Sequence, residues 1–150
     1  MLLHVVAPAV LLSMCVVAHA LAMTALLRHL TRSARPRVLR IAAGMWILIR
    51  VALTMLSVHL LEIGIWASFF TWQNLFPDFR TSFYFSAVTY TTTGYGDLVL
   101  PDPSRMLAAV EALTGILMCG WSTGILFAVV SRMYFAQVAD TTGSGGAAQG

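Results

Sequence analysis

Residues 87–101 read "AVTYTTTGYGDLVLP", and inside them Thr91-Thr92-Thr93-Gly94-Tyr95-Gly96-Asp97 sets hydroxyls, two glycines and an acid between apolar segments. The 150-residue chain around this run is 59% hydrophobic and only 10% charged. A soluble domain carries roughly a quarter charged residues, so the balance is that of a membrane protein. Polar, helix-breaking backbone is tolerated at membrane depth only where protein buries it or where it lines a water-filled cavity. The run therefore lines something, and the flanking segments decide from which side it is entered.

Residues 2–27 contain no Asp, Glu, Lys or Arg. At about 1.5 Å per residue they are long enough to cross roughly 30 Å of hydrocarbon. Ala18-His19-Ala20 resembles a small-x-small cleavage site, but no basic residue precedes the apolar run, so an uncleaved transmembrane helix is expected. The linker 28–43 carries Arg28, Arg32, Arg35, Arg37 and Arg40. The positive-inside rule assigns it to the cytoplasm, where contact with anionic lipid explains its irregular charge better than voltage sensing. The net charge of +3 lacks the interleaved aromatic residues of a nucleic-acid surface, and no nucleic-acid partner is expected.

The second span, 44–70, is interrupted by Arg50, His59 and Glu62. Arg50 can snorkel to the cytoplasmic interface, which puts Glu62 about 18 Å further along the helix, towards the outer leaflet. Trp66, Phe69, Phe70 and Trp72 read as an interfacial aromatic belt. Asp78 is the expected N-cap of a helix of about three turns, too short to span. Asp102, with Pro103 behind it, announces the last span, 104–132. The Gly-rich stretch 133–150 reads as a short flexible tail. With the Arg-rich linker inside, the N-terminus faces out, the C-terminus lies in the cytoplasm, and the glycine run is entered from outside. The bilayer of a cell membrane is the expected location.

The sequence "SFYFSAVTYTTTGYGD", set between two spans, resembles the pore loop of the potassium channels. The resemblance covers 44–132 as outer helix, re-entrant pore helix, filter and inner helix, with one extra N-terminal helix. It implies an all-α membrane fold, a homotetramer about a central pore, no enzymatic activity and no cofactor beyond potassium as the permeant ion. It also implies that carbonyls of Thr92, Thr93, Gly94 and Tyr95 coordinate potassium, with Gly96 completing the filter and the Thr92 hydroxyl adding an inner ring. Aiming stacked carbonyls one way requires right- and left-handed residues to alternate, and Gly94 and Gly96 permit this at low cost.

Support for the filter is read the same way. Val88 stands where some relatives carry an acid, and Tyr84 where many carry a Trp, so the Tyr84 hydroxyl is expected to reach Asp97. Thr89 is expected to support the Tyr95 hydroxyl, while Phe85 has no donor to offer. Thr93 replaces the usual Val, and its hydroxyl is expected to bond behind the filter. Gly115 takes the place of the family's inner-helix hinge and Gly120 gives a second weak point, with close helix packing as the equal alternative.

The remaining polar residues are read from position. His59 and Glu62, three apart, share a helix face and are expected to join outer helix to pore helix. Glu111 is expected to support the pore helix from behind. His4 and His19 lack metal-ligand spacing and read as interface residues, and Cys15 and Cys119 as buried free thiols. A weakly selective cation channel, owing to Thr93, and a non-conducting membrane subunit are the competing functions. No Ser/His/Asp set, phosphate loop or metal-ligand spacing supports an enzyme.

Overall fold

The computed structural model describes residues 2–33 and 41–146. Helix α1 spans Leu2–Ser33, α2 Ile41–Trp72 and α3 Phe79–Tyr90; a single 3-10 turn at Asp102–Ser104 then leads into α4, Arg105–Gly146. No strand occurs among the described residues. Among the described residues, three stretches, Val6–Leu30, Gly44–Trp72 and Asp102–Phe135, are long and apolar enough to cross a membrane. At about 1.5 Å per residue α3 is only some 18 Å long, too short to do so.

Three long helices pack together through two apolar clusters. Near the α2–α3 end, Leu11, Cys15, Trp66, Phe70, Phe85, Leu107 and Met118 interlock. Towards the other end, Met23, Leu26, Val51, Met55, Val58 and Val129 do so. In hydrocarbon, burying an apolar side chain gains little over leaving it in lipid, so shape complementarity and interhelical hydrogen bonds carry the association. Phe70 shows the first of these: its ring meets Phe85 edge-on at 5.5 Å and Phe76 at 6.4 Å. Such pairs contribute about 0.5–1.5 kcal/mol each beyond area burial.

The turn into α3 follows from local chemistry. Asn74 adopts φ 53°, its N–H donates to the Thr71 carbonyl and the Leu75 N–H donates to the Phe70 carbonyl. This left-handed C-cap closes α2 and is one that Asn tolerates better than most residues. Asp78 then caps α3, accepting from the Thr81 backbone N–H at 2.8 Å. That bond holds the Asp78 carboxyl below its ordinary value of 3.8. A depressed carboxyl stabilises the fold above its unfolded pKa, and the contribution is lost as pH falls through the lower folded value.

Several expectations are corrected. The first two helices extend past 27 and 70 to Ser33 and Trp72, so Arg28 lies inside α1 rather than in a linker. Residues 34–40, with Arg35, Pro36, Arg37 and Arg40, lie outside the described residues, as do 147–150. The stretch expected as a flexible tail is helical backbone as far as Gly146. Asp102 does not cap α4: it opens the 3-10 turn that precedes α4, the N-cap of that turn, Pro101, makes no side-chain bond, and the Asp102 carboxylate pairs with Arg105 at 2.9 Å. Trp66 and Phe70 are fully buried core residues rather than an interfacial belt, and only Trp72 of the four is exposed. Cys15 is buried as expected, but Cys119 is exposed.

The two inner-helix glycines differ. A Cβ at Gly115 would overlap the Tyr90 carbonyl oxygen and lie 2.8 Å from the Tyr90 carbonyl carbon, whereas one at Gly120 would meet nothing within 4 Å. Backbone cannot yield as a flexible side chain does. Gly115→Ala should therefore lower thermal stability in detergent by about 1–3 kcal/mol or prevent assembly, as overpacking does. Gly120→Ala should leave the melting temperature within the range of surface substitutions; equal losses at both positions would contradict the packing role of Gly115.

Candidate functional site

The site grows out of the end of α3. Thr91 is the C-cap, and its N–H donates to the Ala87 carbonyl at 3.2 Å. The next three N–H groups also turn back on α3: Thr92 donates to Thr89 O at 2.9 Å, Thr93 to Val88 O at 3.0 Å and Gly94 to Val88 O at 3.2 Å. Thr92, Gly94 and Gly96 have φ of 59°, 57° and 77°, while the residues between them stay at negative φ. Handedness thus alternates residue by residue. Among the described residues, no backbone hydrogen bond ends on a carbonyl of Thr91–Gly96. All of Thr91–Asp97 is exposed in the single chain. The N–H groups of Thr91–Gly94 are held by α3 and the carbonyl oxygens of the run are unspent.

The glycines were legible as left-handed positions; Thr92 was not. A β-branched residue at positive φ is a genuine outlier, costing on the order of 1–3 kcal/mol.

Side chains brace the run from behind. Thr93 Oγ1 lies 2.9 Å from Thr91 Oγ1, and the Thr91 hydroxyl donates to the Ala87 carbonyl at 2.7 Å. The extra hydroxyl of Thr93 therefore reaches the cap of α3. The Tyr84 hydroxyl donates to Asp97 Oδ2 at 2.7 Å, joining the middle of α3 to the far end of the run. Thr89 and the Tyr95 hydroxyl are not brought together within one chain: Tyr95 is 71% exposed, while Thr89 gives only its carbonyl, to Thr92. Phe85 packs in the aromatic cluster instead.

Behind α3 lie two buried polar groups. Glu111 on α4 is fully buried and accepts from the Ser86 hydroxyl, which also lies 3.1 Å from the Ile63 carbonyl. Its other oxygen, Oε2, has no partner. The second group is larger. Glu62 Oε2 accepts from the Tyr90 hydroxyl and lies 3.1 Å from His59 Nδ1, and Glu62 Oε1 lies 2.9 Å from His19 Nδ1. Ser122 Oγ stands 3.2 Å from His19 Nε2 and 3.1 Å from His59 Nε2. The expected His59–Glu62 contact is present, but His19 is not an interface residue: it is fully buried at the centre of this group. Leu11, Cys15, His19 and Met23, four residues apart, form the buried stripe of α1, but the residues between them are as apolar, so the spacing does not mark that stripe in the sequence.

At the opposite end, Arg50 Nη2 lies 3.4 Å from His29 Nε2 and both are exposed, so the end of α1 and the start of α2 bring their basic residues together. Gly115 lies against the Tyr90 carbonyl at the end of α3, while Gly120, five residues further along α4, has nothing within 4 Å of a Cβ position.

Compared with known families, residues 58–132, half of the chain, match the model of a family described as an ion channel. The chain belongs to this ion-channel family. The match takes in the second half of α2, α3, the glycine run and α4 to Arg132, leaving α1 outside it. No curated protein and no solved structure matches the chain. The channel is thus an all-α membrane protein whose family segment contains the run with unspent carbonyls.

The hydrogen bond to Asp97, then desolvation, raises the ionisation of Tyr84 above the ordinary tyrosine value of 10.0. A raised phenol stabilises the fold below its unfolded pKa and loses that contribution as pH rises through the higher folded value. In an ultraviolet titration, the wild-type-minus-Tyr84→Phe difference should show a phenol titrating above pH 10. A Tyr84 component at or below 10 would show that the bond to Asp97 is absent in the folded channel.

Proposed function

We propose that this channel is potassium-selective and passes potassium passively down its gradient, through a filter made of the carbonyls of Thr92, Thr93, Gly94 and Tyr95. The observation that carries this reading is the alternating handedness at Thr92, Gly94 and Gly96, with the N–H groups of Thr91–Gly94 tied to α3 and no backbone bond on the carbonyls among the described residues. A potassium ion sheds its water only where oxygens replace the hydration shell, and rings of backbone carbonyls do this. The Thr92 hydroxyl adds an oxygen at the inner end. The C-terminus of α3 directs its partial negative charge towards the space beneath the run.

One chain supplies one strand of carbonyls, and an axial ring needs several. Four copies about a rotation axis close the ring and cover the exposed run; cyclic symmetry leaves no open edge. Basic residues gather where α1 ends and α2 begins, so the positive-inside rule puts this end in the cytoplasm and the glycine run towards the outside. Anionic lipid is the partner proposed for the Arg-rich segment. Gly120, open in the single chain, is the proposed bending point of α4; Gly115 serves packing.

Thr93 bears on selectivity. Its hydroxyl engages Thr91 rather than standing free, which favours a filter stiffened from behind. Purified protein in liposomes should take up potassium against a sodium-loaded exterior, and Gly96→Ala, which puts a Cβ on a residue at φ 77°, should abolish that uptake. Equal uptake of sodium would replace this reading with a weakly selective cation channel. No uptake of either ion would make the chain a non-conducting subunit.

A further inference from the structure

Three ligand-type side chains that no part of the proposed ion path uses meet in the middle of the bundle. His19 comes from α1, His59 and Glu62 from α2, and one coordinating atom of each lies within 4.8 Å of the other two. His19 and Glu62 are fully buried and His59 is 17% exposed. The group sits between the two apolar clusters, one turn from Cys15 and Met23 on α1. We propose that His19, His59 and Glu62, with the Tyr90 hydroxyl as fourth donor, form a binding site for a divalent transition ion of the zinc type.

Donor chemistry is the first argument. Two imidazoles, a carboxylate and a phenol suit zinc-type ions, whereas hard cations such as calcium and magnesium take oxygen-only shells. Zinc–nitrogen and zinc–oxygen bonds of about 2.0–2.2 Å imply donors roughly 3.3 Å apart in a tetrahedron. The His19 Nδ1–Glu62 Oε1 and His59 Nδ1–Glu62 Oε2 separations, 2.9 and 3.1 Å, are within a few tenths of that, each to its own carboxylate oxygen, and one ligand atom from each residue lies within 4.8 Å of the others. Tyr90 Oη lies 3.1 Å from His59 Nδ1 and is bonded to Glu62, so the fourth donor is in place.

The outer nitrogens supply the second, independent argument. With Nδ1 of each histidine directed at an ion, both Nε2 atoms must carry hydrogen and need acceptors. A single side chain, Ser122 on α4, stands 3.2 Å from one and 3.1 Å from the other. A hydroxyl oxygen has two lone pairs and accepts both. Metal-bound histidines are ordinarily oriented by an acceptor on the far nitrogen, and this arrangement provides one for two. A bound ion would thereby fasten α1, α2 and the end of α3 to each other, and hold α4 through Ser122, two residues past Gly120.

The test measures metal rather than ion flux, so it stands or falls separately from potassium selectivity. Full-length protein exposed to zinc and passed through gel filtration should retain about one zinc per chain by elemental analysis. His19→Gln and Glu62→Gln should lose it, and His29→Gln, remote from the group, should not. Ser122→Ala, which keeps every ligand, should retain the stoichiometry with affinity lower by about 10–100-fold. Cobalt in place of zinc should give the visible absorption of a tetrahedral site in the wild type and not in His19→Gln. Wild-type protein holding no more zinc than His19→Gln, or giving no cobalt band, would overturn the site; unchanged affinity in Ser122→Ala would overturn the orienting role of Ser122.

Discussion

A backbone carbonyl left without a hydrogen bond is tolerable inside a membrane only beside water, an ion or another protein surface. This channel leaves the carbonyls of Thr91–Gly96 in that condition while tying the N–H groups of Thr91–Gly94 to the last turn of α3. Everything else in the fold serves that asymmetry. Helix α3 must be short so that its end stops at depth, and the caps at Asn74 and Asp78 fix where it begins. Its far end must be immobile, and Gly115 permits this by letting α4 lie directly against the Tyr90 carbonyl.

Strain is concentrated at one residue. Gly94 and Gly96 adopt left-handed backbone without steric penalty, but Thr92 does so against the preference of a β-branched side chain. The hydroxyls of Thr91 and Thr93 bond to each other, and the Thr91 hydroxyl bonds onward to α3, so the strained residue is held between two anchored neighbours. A conformation over-determined by its surroundings is how such strain persists at functional sites. Tyr84 and Asp97 fasten the other end of the run to the same helix.

How much of this could be read from the sequence depended on whether the signal was local. The two glycines, the short helix before them and its Asp78 cap follow from residue types and spacing, whereas the donor–acceptor match of Tyr84 with Asp97 followed only from the resemblance of the pore loop. Facts set by the rotation of one long helix against another did not. Residues 2–27 are apolar on every side, so periodicity gave no phase for α1, and His19 read as an interface residue although it lies in the interior. Trp66 and Phe70 failed for the same reason: an aromatic residue near a membrane surface is as suited to a belt as to a core, and the partners Phe76 and Phe85 decide it. Gly115 and Gly120 are alike in sequence, and only the approach of Tyr90 separates them.

In the proposed function, unspent carbonyls in alternating hand replace the water of potassium and not that of sodium. It is tested most directly by the reversal potential of single channels in a planar bilayer, with potassium on one side and sodium on the other. Current is expected to reverse close to the potassium limit, at a potential set by the potassium gradient. A reversal potential near zero would contradict it.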